Sequence, residues 1–151
     1  MPESLSAQYA HLVFSTKHRA PLLAAPVLRE ALHGYLAGTS AGLGCPALAV
    51  GGVADHVHLL ARLARTIAPA DWVKELKRAS SVWAKTRPDG PAGFAWQAGY
   101  GLFSVSASQL EKVRHYVLSQ AEHHRQATFQ DEYRRLLQAH DLAWNEAYVW
   151  D

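Results

Sequence analysis

Apolar residues run together in short β-compatible stretches and recur every three or four positions in others, and the order of the two patterns predicts the fold. Gln8 to Ser15 reads as a first strand, closed by the basic turn Thr16-Lys17-His18-Arg19 and Pro21. Leu28, Leu32, Tyr35 and Leu36 then form the apolar stripe of a helix that stops in the Gly-rich stretch Gly38 to Gly44. Ala47 to Val50 and Asp55 to Leu63 read as two strands joined through Gly51-Gly52, a hairpin. A second helix starts near Pro69, with Trp72, Leu76, Ala79 and Trp83 on its apolar face and both tryptophans assigned to the core. Phe94 to Val105 reads as a fourth strand segment, interrupted by Gly99 and Gly101. Ser106 and Ser108 have capping-box spacing to Gln109 and Glu111, so a third helix is expected from there to about His124. Phe129, Tyr133, Leu136 and Leu137 mark a last amphipathic helix, and Trp144 to Trp150 is too short to assign. The order β-α-β-β-α-β with C-terminal helices predicts an α+β, ferredoxin-like (RRM-like) split β-α-β sandwich: an antiparallel sheet with helices on one face.

Composition narrows what such a fold can be. At 151 residues, 49% of them apolar, residues 1–151 are read as one domain. The net charge of +2 is small, but residues 1–90 hold ten Lys and Arg against six Asp and Glu, and residues 91–151 hold five against seven. A polyanion is therefore expected to prefer the first part. The single cysteine, Cys45, excludes an internal disulfide and a thiolate metal cluster. No apolar run reaches the ~20 residues that span a bilayer, and the start of the chain lacks a signal-peptide pattern, so a cytoplasmic protein with no membrane partner is expected.

Nine histidines supply the candidate chemistry. Alternation on a strand turns His56 and His58 to the same side, about 6–7 Å apart at their α-carbons, close enough for both rings to reach one metal ion. The same pair also suits a polar sheet face where each ring is simply hydrogen-bonded, and Asp55 is placed to orient one of them. On the third helix Tyr116, Gln120 and His123 share a side. Gln120 offers a neutral oxygen to a hard cation, and His123-His124 could extend such a site, although tandem histidines near a helix end also suit the dipole, which is the reading taken for His124. A phenol is a weak nucleophile at neutral pH unless a metal or base favours its phenolate, and phosphodiester transesterification is the chemistry that uses both. Two other classes share parts of the pattern. A non-catalytic single-stranded nucleic-acid-binding module would use the sheet alone, and a zinc hydrolase would use the histidines but lacks His-Glu-x-x-His.

Four segments together resemble the IS200/IS605-type single-tyrosine transposases of the HUH nuclease superfamily. They are Asp-His-Val-His-Leu-Leu (55–60), Trp-Gln-Ala-Gly-Tyr-Gly-Leu-Phe-Ser-Val-Ser (96–106), Val-Arg-His-Tyr-Val-Leu-Ser-Gln-Ala-Glu-His-His (113–124) and Phe-Gln-Asp-Glu-Tyr (129–133). The resemblance implies His56, His58 and Gln120 as ligands of Mg²⁺ or Mn²⁺, and Tyr116 as the nucleophile that becomes joined to a DNA 5′-phosphate. It also implies single-stranded insertion-sequence ends with hairpins as substrate, and a homodimer whose tyrosine helix can complete the partner's site. A domesticated relative that processes repeated palindromes shares these features. Lys17, Arg19, Arg62, Arg65, Lys74, Lys77 and Arg78 are the candidate DNA contacts.

Overall fold

A computed structural model describes residues 2–151. Its elements in chain order are β1 (Tyr9–Ser15), α1 (Pro26–Gly42), β2 (Ala47–Gly52), β3 (His56–Arg62), α2 (Pro69–Thr86), β4 (Gly101–Val105), α3 (Leu110–Leu118), α4 (Gln120–His123) and α5 (Phe129–Ala139). The strands form one antiparallel sheet in the order β2-β3-β1-β4, which is the split β-α-β arrangement. The register sets Ser15 opposite His56, Val13 opposite His58 and His11 opposite Leu60.

Alternation along the strands divides the sheet into two chemically different faces. Leu12, Phe14, Val57, Leu59 and Ala61 point to one side, where Leu28, Leu32 and Leu36 of α1 and Trp72, Val73 and Leu76 of α2 cover them. Val13, Leu60 and Phe103 point to the other. There Val117 of α3 packs on Leu60 and Ala49, while Phe129, Tyr133 and Leu137 of α5 pack on Val13 and Phe103. His11, His56 and His58 lie on this second face by the same alternation, so the C-terminal helices form a lid over the only imidazole-rich part of the sheet.

Three expectations change. The fourth strand is Gly101–Val105 alone, because Phe94 to Tyr100 crosses as an extended loop with a single bridge, Thr16 to Trp96. Lys77 holds this loop by donating from Nζ to the carbonyls of Gln97, Ala98 and Gly99 at 2.8, 3.1 and 2.5 Å. Trp72 is fully buried, but Trp83 sits half-buried at the rim, stacked on Tyr35 at 4.9 Å between ring centroids. The third helix is also broken. A 3₁₀ turn over Ala107–Gln109 precedes α3, and Ser119 (φ −102°, ψ 20°) separates α3 from α4. Neither predicted serine cap forms, whereas Thr128 Oγ1 does accept from Asp131 N at the start of α5.

Candidate metal centre and tyrosine site

His56 and His58 are completely buried, and each has one ring nitrogen tied down. Asp55 Oδ1 accepts from His56 Nδ1 at 2.7 Å, and His11 Nε2 lies 2.8 Å from His58 Nδ1, the two rings stacked at 5.0 Å. A third imidazole joins them from the end of α4, where His124 Nδ1 donates to the carbonyl of Ala127 at 2.7 Å. Tethering the outer nitrogens aims all three Nε2 atoms at one point, the arrangement by which proteins orient histidine ligands.

Glu132 of α5 occupies that point. Its Oε1 lies 3.2, 3.1 and 2.9 Å from the Nε2 atoms of His56, His58 and His124. Its Oε2 accepts the hydroxyl hydrogen of Tyr116. Gln120 Oε1 is 3.1 Å from His56 Nε2, and its amide nitrogen donates to the Tyr116 carbonyl at 3.2 Å. Tyr116 therefore stands beside the imidazoles of its own chain, bridged to them by a carboxylate that is 1% exposed.

The electrostatics follow from this packing. Burial opposes a charge on His56, but the Asp55 and Glu132 carboxylates outweigh it and lift its pKa to about 9. Burial dominates at His58, only partly offset by Glu132, and lowers it to about 4; burial and the neighbouring His58 lower His11 to about 3. Burial would raise Glu132, yet hydrogen bonds from His124, His56 and His58 prevail and keep it ionised. Tyr116 is pushed well above an ordinary phenol by burial first and by the Glu132 charge second.

This donor set fits a divalent cation. One nitrogen from each of His56, His58 and His124 and one oxygen of Glu132 all lie within 4.8 Å of one another. Asp55 and the Ala127 carbonyl can only accept, so His56 and His124 keep their hydrogens on Nδ1. As neutral rings both would turn Nε2 lone pairs toward a carboxylate oxygen. The cluster is balanced only by positive charge at its centre, as protons on those nitrogens or as one metal ion that displaces them.

Of the residues singled out from sequence, Tyr116, His56, His58 and Gln120 come together. His124, read as a helix-terminus residue, belongs with them, as does Glu132, which carried no assignment. The basic candidates scatter. Arg19 borders a cavity of about 760 Å³ with Asp55, His124 and Arg125. Lys17 is exposed just before it, and Arg62 and Arg65 lie at the far end of β3, where Arg62 donates to the carbonyl of Ser6 at 2.8 Å. Lys74, Lys77 and Arg78 are on α2, across the sheet from the imidazoles; Lys77 is engaged by carbonyls and Arg78 pairs with Glu75 at 2.9 Å. On the tyrosine side a second cavity of about 840 Å³ opens, lined by His11, Tyr116, Phe103 and His140 among others.

Comparison with known proteins matches residues 4–120 to a family model described as IS200-like transposase. The chain belongs to that family. Among solved structures, a candidate transposase from Deinococcus radiodurans R1 is 24% identical, with a TM-score of 0.59 over 78% of this chain and 95% of that one. A REP-associated tyrosine transposase bound to a REP hairpin is 13% identical, with a TM-score of 0.53 over 78% of this chain and 66% of that one. These two likenesses show the fold. No curated protein matches the sequence significantly. In this family member the matched region ends at Gln120, so His124 and Glu132 are supplied by residues beyond it. Among the described residues no helix is long and apolar enough to cross a membrane.

Proposed function

We propose that residues 1–151 work as one catalytic domain that cuts and rejoins single-stranded DNA at hairpin-bearing insertion-sequence ends, through a 5′-phosphotyrosine on Tyr116. The observation that carries this reading is the shared carboxylate. The Tyr116 hydroxyl is hydrogen-bonded to the same Glu132 that faces His56, His58 and His124. Mg²⁺ or Mn²⁺ held there by His56 and His58, with Glu132, His124 and Gln120 as further donors, would polarise a phosphate oxygen as a Lewis acid. Tyr116 Oη forms its bond to phosphorus as the bond to the 3′ oxygen breaks, and the hydroxyl hydrogen of Tyr116 passes by way of Glu132 Oε2 and water to that oxygen, which leaves as a hydroxyl. The phosphodiester energy is kept in the phosphotyrosine, so attack by another 3′-hydroxyl reverses the step and rejoins DNA. Arg19 and Arg125 at the neighbouring cavity are suited to the flanking phosphates. A homodimer in the cytoplasm completes the reading, with light scattering as the check on the former.

The test mixes the protein with labelled hairpin oligonucleotides from both ends of its genomic locus, with Mn²⁺, Mg²⁺ or chelator, on a denaturing gel. A metal-dependent adduct is expected, and Tyr116→Phe lowers it by roughly three orders of magnitude while hairpin binding persists. Binding without any adduct in the wild type overturns the catalytic reading. The hairpin in the REP-associated neighbour favours a second reading, a domesticated processor of repeated palindromes. Genomic palindromes used in place of element ends separate the two by which oligonucleotide is cut.

A further inference from the structure

The Phe-Gln-Asp-Glu-Tyr segment (129–133) has a packing role that accounts for four of its positions. Phe129 and Tyr133 are buried against Val13 and Phe103, Asp131 lies at the capped start of α5, and Gln130 is half-exposed. Glu132 is left, an acid on the buried face of a helix. Burying an unpaired carboxylate costs several kcal/mol, so each of its oxygens has to be satisfied by protein. They are satisfied unequally: three imidazoles lie within hydrogen-bond distance of Oε1, and only the Tyr116 phenol lies within that distance of Oε2, with His123 Nε2 farther off at 3.8 Å.

We infer that Glu132 is a positioning residue that makes occupation of the cation site and seating of the Tyr116 hydroxyl a single coupled event. The inference rests on the metal-dependent tyrosine chemistry proposed above and adds to it the residue that joins its two parts. A rigid support exists for this coupling. Trp150 packs against Tyr133 and Phe129 with ring centroids 5.8 and 6.3 Å apart, and Arg134 pairs with Glu146 at 2.7 Å, so the C-terminal segment clamps α5. The tyrosine is held less firmly from its own side. Ser119 interrupts the helix between Tyr116 and Gln120, which leaves the Glu132 contact as the bond that fixes the hydroxyl relative to β3.

Coupling through one shared group has a measurable signature, because two ligands of one carboxylate must influence each other reciprocally. Mn²⁺ affinity is measured by calorimetry without DNA, at one pH, for the wild type, Tyr116→Phe, Glu132→Ala and the double variant. Glu132→Ala is expected to weaken Mn²⁺ binding about 10- to 100-fold. Tyr116→Phe is expected to weaken it about 3- to 10-fold in the wild-type background and less than about two-fold in the Glu132→Ala background. Equal effects in both backgrounds, no effect of Tyr116→Phe in the wild type, or no Mn²⁺ binding by the wild type overturns the inference. If Glu132→Ala gives no cooperative melt, Glu132→Leu keeps a comparable volume without any acceptor and serves as the second background with the same expectation. Failure of the two readings is distinguishable. An adduct lost in Tyr116→Phe without coupling removes the Glu132 link and leaves the transposase chemistry; coupling with no adduct on bound hairpins does the reverse.

Discussion

Three histidines at the centre share one device, a fixed outer nitrogen, and a fourth histidine elsewhere has a buried ring nitrogen left unpaired. His33 of α1 has a buried Nε2 with no hydrogen-bond partner, and its pKa is lowered to about 4 by burial and then by Arg29. The unfolded chain, with an ordinary value near 6.5, binds the extra proton first on acidification. Stability from this site is therefore complete above about pH 6.5 and is lost as the pH falls toward 4. His33→Phe is expected to flatten that part of the stability profile by on the order of 1–2 kcal/mol, read from urea melts at pH 7 and pH 4.5. Residue chemistry was unevenly legible in the sequence. His56 and His58 were visible because a strand repeats every two residues, and Tyr116 with Gln120 because a helix repeats every four. Glu132 was invisible for a physical reason: Asp131 and Glu132 in a first helical turn look like ordinary partners of the helix dipole. His124 is ambiguous on the same ground, since a histidine at the other end of a helix suits the dipole as well as a metal site.

Elements carry a different kind of constraint, set by how closely backbones approach. Gly51 of β2 pairs with His58, and a β-carbon at Gly51 would fall 2.0 Å from the Val117 carbonyl oxygen of α3. No side-chain rotation relieves a clash with backbone, so α3 would have to move off the sheet. Gly51→Ala is expected to cost about 1–3 kcal/mol, seen as a lower melting temperature. It is also expected to weaken Mn²⁺ binding, because α3 is joined to α4 and Gln120. The hairpin reading of Gly51-Gly52 found the turn but not this role, since close approach of a distant helix leaves no local trace. The β4 boundary moved for a similar reason, because Lys77 fixes residues 97–99 from across the chain. The order of the elements, by contrast, is encoded locally by periodicity and was read correctly.

At the scale of the whole molecule, the sheet separates an apolar face under α1 and α2 from a face whose centre is polar and has a donor set that fits a cation. A cation bound only by the folded chain stabilises it by mass action, about 2.7 kcal/mol at a hundredfold excess over its dissociation constant. For a chain of this size that is a rise in melting temperature of roughly 5–10 °C with Mn²⁺, reversed by chelator and absent in His58→Ala. A rise that persists in His58→Ala would place the ion elsewhere. The distances along the chain have a consequence for how the protein comes into being. His58 meets His11 across 47 residues, His56 meets Gln120 across 64, and His58 meets Glu132 across 74. Glu132 lies well beyond Val105, the last residue of the sheet. During synthesis the sheet can form while the helix bearing Glu132 is still inside the ribosome, so a nascent chain acquires its architecture before its cluster of imidazoles and carboxylate is complete.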